Sequence, residues 1–304
     1  MQPTIAITGA NGFIGQQLTR LFSKQGWQVK ALVRNPNKSQ VDHKNQDSVL
    51  DKLPGVTFVQ YDLFNPFDPQ LLNNCNAIIH AAYVTHTQHP TANQINQSAL
   101  KQLVDAAFQN NTHLVYISSF SAHEKATSDY GQSKLACEQF LDPNKHCIIK
   151  PGLVIGKSGL AGNIIQQINN RSLFPLVGGG LQPIQTIAVD DLCQILFNCV
   201  SKQTLGKYWV ASPEVINLKN LYLAIAEANH KSIKFINLPE WPFALAFQLA
   251  EAFHIPLPFS SENLRGLQQL QSFETQPSLT QLNYSLEALS TTLRKLTSED
   301  FPTI

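Results

Sequence analysis

A chain of 304 residues with 43% hydrophobic residues can bury a sizeable core, so one large α/β domain or a domain with an attached lobe is expected. Charged residues are only 14%, and 22 Lys+Arg against 21 Asp+Glu leave a formal net charge of +1, which provides no basic stripe for nucleic acid. Five widely spaced cysteines without a Cys-x-x-Cys pair argue against a disulfide framework or zinc knuckle and favour a reducing compartment.

The chain runs from Met1-Gln2-Pro3-Thr4 straight into an apolar strand, without the basic start of a signal peptide, so a cytoplasmic location is expected. Short β-branched runs at Ile5–Thr8, Val29–Val33, Val56–Gln60, Ala77–His80, Leu114–Ser118 and Cys147–Lys150 read as strands. Helical patterns at Ile14–Lys24, Asp47–Leu53, Pro69–Leu72, Ala92–Gln109 and Tyr130–Leu141 lie between them. This alternation predicts a parallel sheet covered on both faces. Beyond Lys150 the alternation loosens, with Pro151-Gly152, Gly156, Gly159, Gly162 and Gly178-Gly179-Gly180 as punctuation. Helices are expected at Asn163–Asn169, Asp190–Ser201, Leu218–Asn229, Pro242–Phe253, Ser261–Leu270 and Leu286–Leu296, and strands near Ile184–Ala188, Tyr208–Ala211 and Ser232–Asn237. Three prolines and several polar residues interrupt Trp241–Phe259, so this apolar stretch predicts an amphipathic or buried helix and no membrane span. The expected division is a dinucleotide-binding domain over residues 1–150 and a mainly substrate-binding lobe over 151–304, with some segments returning to the first domain.

Directly after the first strand, Thr8-Gly9-Ala10-Asn11-Gly12-Phe13-Ile14-Gly15 leads into a helix. Glycines there let the backbone turn tightly and approach a pyrophosphate, whose charge meets free amides at the helix N-terminus. At the end of the second strand, Arg34 is placed to pair with a 2′-phosphate, which favours NADP over NAD; a solvated Arg is the bland alternative. After the third strand, Asp62-Leu63 is placed to accept from adenine and cover its edge, or to initiate a turn.

Tyr130 and Lys134 stand four residues apart on one helix face, and Ser118-Ser119 ends the fifth strand. An ammonium beside a phenol stabilises the phenolate, so the pair predicts a Tyr pKa below the ordinary value of about 10. With this trio the chain resembles the short-chain dehydrogenase/reductase superfamily, specifically its extended and atypical branches, the NAD-dependent epimerase/dehydratase-like proteins. The resemblance implies that Gly9, Asn11, Gly12, Phe13, Ile14 and Gly15 form the cofactor loop, and that Asp62 and Leu63 bind adenine. It implies further that Ala81 and Ala82 pass beneath the nicotinamide ribose, that Asn96 braces the active site, and that Ser119, Tyr130 and Lys134 are catalytic. Pro151 and Gly152 resemble the turn that holds the carboxamide, and Val189-Asp190-Asp191 a signature of the substrate half.

The departures concern the substrate. Sugar-nucleotide members usually carry an Arg-Asp pair where this chain reads Ile184-Gln185, and an Asn where it has Leu153. A diphosphate needs such donors, so a nucleotide sugar is not expected. Tyr83 and Leu153 are candidate substrate contacts, and Arg171 and Arg265 the obvious substitute cations. His86 and His89 share a loop without a third ligand, so no metal is expected. Glu138, four residues beyond Lys134, reads as its helix partner.

These features predict a Rossmann-like doubly wound parallel sheet with a smaller C-terminal α+β substrate lobe. The expected activity is that of an NADP(H)-dependent oxidoreductase acting on a carbonyl or alcohol of a small molecule. A non-catalytic NAD(P)H-binding accessory or sensor protein and a sugar epimerase or dehydratase are the alternatives. No nucleic-acid partner is expected, and a homodimer is left open.

Overall fold

The computed structural model describes residues 2–36, 50–85, 88–238 and 270–297. The predicted helices Pro242–Phe253 and Ser261–Leu270, the start of Asp47–Leu53, and His86 and Arg265 therefore lie outside the described residues, apart from the last residue, Leu270.

β1 (Thr4–Thr8), α1 (Phe13–Lys24), β2 (Gln28–Val33), β3 (Val56–Gln60) and β4 (Ala77–His80) open the chain. They are followed by α2 (Ala92–Gln109), β5 (His113–Ile117), α3 (Asp129–Glu138) and β6 (Cys147–Pro151). These strands and β11 (Gly206–Val210) form one seven-stranded parallel sheet in the order β11-β6-β5-β4-β1-β2-β3. Strand order reverses beside β1, so the crevice at the strands' C-terminal ends opens next to the β1–α1 turn, where such sheets bind ligands.

Alternation along each strand builds two apolar layers. Ile5, Ile7, Val29, Ala31, Ile79, Val115 and Ile149 face one way and pack with Leu18 and Phe22 of α1. The same layer takes in Leu192, Ile195 and Leu196 of α5 (Val189–Ser201). Ala6, Leu32, Ile78, Leu114, Tyr116 and Ile148 face the other way, onto Leu100, Leu103 and Ala106 of α2 and Cys137 of α3. The Rossmann-like α/β architecture is thus observed. Segments beyond residue 150 return to it, since β11 extends the sheet and α5 covers it.

A third apolar cluster lies in the C-terminal half. It unites β7 (Leu153–Ile155), α4 (Gly159–Asn170), β8 (Leu173–Val177) and β9 (Pro183–Ile184) with α6 (Leu218–Ala228) and, through Phe235, β13 (Lys234–Leu238). Leu293 from α8 (Leu289–Thr297) closes it. β7 pairs with β10 (Thr186–Ala188), β9 with β12 (Ile216–Asn217), and β8 with β13.

Several expectations change here. The single strand Ile184–Ala188 is two strands that part at Gln185, because Ile184 pairs antiparallel with Ile216 while Thr186 pairs parallel with Leu153. Pro69–Leu72 is one 3-10 turn, capped by the Asp68 carboxylate accepting from the Gln70 amide at 2.9 Å. α4 begins four residues before the predicted Asn163, and α8 starts at Leu289 instead of Leu286. β7, β8, β12 and α7 (Gln276–Leu282) were not expected.

Asp191 explains part of the Val-Asp-Asp signature structurally. It is nearly buried, and its carboxylate accepts from the Tyr284 hydroxyl at 2.9 Å and the Glu287 amide at 2.8 Å. A charged acceptor thereby fastens the C-terminal segment to the first turn of α5.

Candidate active site

At the end of β1 the chain folds back on itself tightly. Gly9 has φ +65°, and a Cβ there would lie 2.9 Å from the Ala82 backbone; a Cβ on Gly15 would lie 2.1 Å from the Gly9 oxygen. Only glycine lets the turn, the helix and the β4 end approach so closely. The cap position of α1 is Gly12, which offers no capping side chain, and no acidic residue occupies the first turn. The helix N-terminus therefore keeps its amide charge for an anion, and the cradle fits a dinucleotide pyrophosphate. Asn11 and Gly12 are exposed on the turn, while Phe13 and Ile14 are partly buried and reach the central cavity.

Thr8 ties this turn to β4. Its hydroxyl oxygen accepts from the Ala81 and Ala82 amides at 3.1 Å each and lies 2.8 Å from His80 Nδ1. With both lone pairs engaged, the hydroxyl proton points at Nδ1, so the imidazole is neutral with its proton on Nε2. Burial, helped by the Lys134 charge, pushes the His80 pKa down to about 3.

Ser119, Tyr130 and Lys134 converge at the ends of β5 and α3. Ser119 follows β5 by two residues, and its hydroxyl is hydrogen-bonded to the Tyr130 phenol. The α3 helix is started by Ser128, whose side chain accepts from the Gly131 amide at 3.1 Å. Lys134 is 4% exposed and donates to the Ile117 carbonyl at 2.8 Å. Its Nζ lies 4.8 Å from the Tyr116 ring centroid and 5.1 Å from that of Tyr83. Burial pushes the Lys134 pKa down to about 8, against the opposing influence of Cys137 and Glu138. The phenol behaves otherwise than the sequence predicts: burial raises the Tyr130 pKa, and the only lowering influence is the Ser119 hydrogen bond. In a water-poor site, desolvation of the phenolate outweighs the benefit of a nearby ammonium.

A cavity of about 710 Å³ opens above this trio. Tyr83, Ser119, Tyr130, Pro151, Gly152 and Leu153 all line it, together with Leu160 and Ile164 of α4 and Leu218 and Tyr222 of α6. Lys134 is the sole charged side chain among the described lining residues. Gly152 is required by packing, since a Cβ there would lie 2.3 Å from the Gln185 oxygen.

The sequence marks Gln185 only as the replacement for the Asp of the Arg-Asp pair. It is 4% exposed, and its amide donates to the Ser212 and Phe273 carbonyls at 2.9 and 3.0 Å and accepts from the Phe273 amide at 2.8 Å. This fastens the segment around Phe273 to the cavity wall, where Leu270 and Gln271 join the lining and the Phe273 ring meets Phe120 at 4.9 Å. No local motif signals a partner 88 residues away.

Other predicted residues stand apart from the cavity. Asn96 is buried, and its amide pairs with both the N–H and the C=O of Val84 at 2.9 and 2.8 Å. It braces the loop behind Ala81-Ala82 instead of facing the cavity. Arg34 is exposed just past β2. The Asp62 carboxylate lies 3.3 Å from the Phe64 amide, the turn geometry weighed against adenine binding, and Leu63 packs on the apolar layer of Tyr61 and Phe67. Arg171 is exposed after α4 and does not line the cavity. Glu138 is not the partner of Lys134: its carboxylate pairs with Lys150 at 2.7 Å and Lys207 at 2.8 Å and accepts from Ser118.

The neutral His80 ring makes stability pH-dependent. In the unfolded chain it protonates near its ordinary value of 6.5, but in the folded protein only near 3. The unfolded state thus binds more protons between those values, and stability falls as pH falls by about 1.4 kcal/mol per pH unit from this group. Urea unfolding of the wild type and of His80→Asn across this range measures the difference. The variant is expected to lose that part of the slope, and an unchanged slope would mean a ring already charged in the fold.

Residues 5–211 match the NAD dependent epimerase/dehydratase family. The chain is 29% identical over 207 residues to "Ceramide reductase" of Caulobacter vibrioides, covering 66% of this chain and 62% of that protein, so it spans less than two thirds of that relative's length. It is 24% identical over 270 residues to "Epimerase family protein YfhF" of Bacillus subtilis, covering 82% of this chain and 84% of that protein. Among solved structures, UDP-N-acetylglucosamine 4-epimerase from Methanobrevibacter ruminantium aligns with a TM-score of 0.73 at 17% identity, covering 98% of each chain, which is a likeness of fold. With the glycine turn, the parallel sheet and a family match running from β1 to the end of β11, the chain belongs to the NAD dependent epimerase/dehydratase family, a family of NAD(P)-dependent enzymes.

Proposed function

We propose that this protein is an NADP(H)-dependent oxidoreductase that interconverts a carbonyl and an alcohol on a small, apolar substrate other than a nucleotide sugar. The observation that carries the reading is the cavity above Ser119 and Tyr130, whose described lining holds one charged group, Lys134, already bound to the Ile117 carbonyl. A diphosphate buried there would leave its charged oxygens short of donors. Ile184, at the position where a clamping Arg is expected, is an apolar residue of the cavity lining, and Gln185 beside it spends its amide on backbone groups. A relative named for reducing a ceramide, which is a lipid, agrees with an apolar substrate.

In this reading residues 1–150 bind the dinucleotide and residues 151–304 mainly shape the substrate cavity. The Gly9–Gly15 turn would hold the pyrophosphate, Arg34 the 2′-phosphate of NADP, Asp62 and Leu63 the adenine, and Ala81, Ala82, Pro151 and Gly152 the nicotinamide half. Asn96 acts indirectly, through Val84. The dinucleotide supplies two-electron redox chemistry when bound.

The protein's own groups handle the proton. Burial keeps the Tyr130 phenol protonated at neutral pH, so it is set to donate its proton to a carbonyl oxygen as that oxygen gains charge. Ser119, hydrogen-bonded to the phenol, orients the same oxygen. Lys134, with a pKa near 8, is still an ammonium at neutral pH; it would hold the ribose of the dinucleotide and place positive charge near the phenolate left behind. A protonated phenol beside an ammonium suits carbonyl reduction.

Three measurements test this. NADPH is expected to bind more tightly than NADH by about ten- to a hundred-fold, the value of one charge-assisted contact, and Arg34→Asp to reverse the order; equal affinities in the wild type would remove the NADP assignment. Tyr130→Phe should keep its NADPH affinity yet lose turnover of a lipophilic ketone by about 10²- to 10⁴-fold, and retained turnover would rule the phenol out as proton donor. Calorimetry of the NADP-loaded protein with uridine diphosphate or thymidine diphosphate should show no binding, whereas micromolar affinity for either would return the protein to the nucleotide-sugar group.

A further inference from the structure

Tyr83 stands at the wall of the cavity, directly after the Ala81-Ala82 segment, and touches both members of the helix pair. Its ring is 5.0 Å from the Tyr130 ring at an interplanar angle of 83°, a perpendicular aromatic pair. The Lys134 nitrogen is 5.1 Å from the centroid of the same ring. Aromatic rings prefer perpendicular contact because the positive edge of one meets the negative face of the other. A cation is drawn to that face for the same reason, most strongly where water is absent.

Lys134 is short of conventional partners. One of its three donors reaches the Ile117 carbonyl, and the Glu138 carboxylate on its own helix is taken up by Lys150 and Lys207. The remaining titratable groups around it are Tyr130 and Cys137 on α3, Tyr116 on β5, His80 on β4 and Tyr83 itself. His80 is neutral, and burial holds the Tyr116 and Tyr130 phenols protonated at neutral pH; the Tyr116 and Tyr83 rings face the ammonium in place of an anion. Tyr116 is 1% exposed and belongs to the sheet core, whereas Tyr83 is partly exposed at the cavity and is not part of that packing.

We propose that Tyr83 is a positioning residue for the chemistry: its ring face holds the Lys134 ammonium in place and its plane sets the orientation of the Tyr130 ring. The proposal rests on Tyr130 and Lys134 being the proton-handling pair, but the contact can be read without turnover. The phenol oxygen of Tyr83 has no part in it, so the ring alone suffices. Removing the ring removes a stabiliser of the charged lysine.

The test is a titration of Lys134 followed by nuclear magnetic resonance in protein labelled with [13C]lysine, its signal assigned by loss in Lys134→Arg. The wild type and Tyr83→Phe are expected to titrate alike, near pH 8. Tyr83→Leu is expected to titrate lower by about half to one pH unit, the span that one cation–ring contact covers. If Tyr83→Leu fails to fold by thermal melting, Tyr83→Met carries the same comparison with a flexible side chain and no ring. A ring-less variant that titrates at or above the wild-type value overturns the proposal. So does a Tyr83→Phe shift as large as that of Tyr83→Leu, because the hydroxyl would then be responsible. Turnover by Tyr130→Phe bears on the assignment of the pair and leaves this titration untouched, so the two can fail separately.

Discussion

A buried ammonium shapes the centre of this protein. Placing Lys134 in the interior costs several kcal/mol unless hydrogen bonds and polarisable groups replace its water. The replacements come from separate elements: the Ile117 carbonyl at the end of β5, the Tyr116 ring within β5 and the Tyr83 ring beyond β4. Each works only if α3 holds Lys134 beside the end of β5 and the segment after β4, so sheet, helix and loop are held to a common geometry. The same burial moves the two titrating groups in opposite directions. The lysine pKa goes down and the tyrosine pKa goes up, and both protons are nevertheless in place at neutral pH.

The neighbouring carboxylate is kept out of this arrangement. Glu138 lies one turn beyond Lys134, yet it is buried among Ser118, Lys150 and Lys207, which tie α3 to β6 and β11 at the edge of the sheet. Lys134 and Lys150 are equally buried, so whichever of them lacks the carboxylate needs other groups to replace its water. Glu138 serves Lys150 and Lys207, while Lys134, which lines the cavity, relies on the Ile117 carbonyl and the Tyr116 and Tyr83 rings.

The sequence pattern reveals much of this architecture, because buried parallel strands are short β-branched runs. β1 to β6 accordingly fall within about one residue of their expected places. The C-terminal half is less legible for a reason visible in its pairings: β8 finds its partner in β13 and β7 in β10, so strands of two to five residues exist only through distant neighbours. A three-residue strand has no periodicity to detect. In the site, the glycine turn and the Ser119, Tyr130 and Lys134 positions are visible because each depends on local backbone geometry or helix spacing. Tyr83 and Leu153 at the cavity wall follow from their neighbours in the chain. Asn96 and Gln185 differ: an amide side chain declares nothing about which peptide unit it will meet.

That last point connects the composition to the cavity. A chain with 14% charged residues has few ions with which to fasten its loops, and it uses amides in their place. Asn96 pairs with both polar groups of Val84, Gln185 with both of Phe273, and Gln102 accepts from the Phe67 amide at 2.7 Å. An amide carries a donor and an acceptor side by side, so it mimics a neighbouring strand and satisfies a buried peptide unit without adding charge. One of these braces, Asn96, stands behind the Tyr83 loop, and another, Gln185, lies in the cavity wall beside the Leu270–Phe273 segment. Had arginine or aspartate done the same work there, its net charge would have reached into the cavity and competed with Lys134. Fastening by amides leaves Lys134 as the one charged side chain among the described lining residues of a mainly apolar cavity.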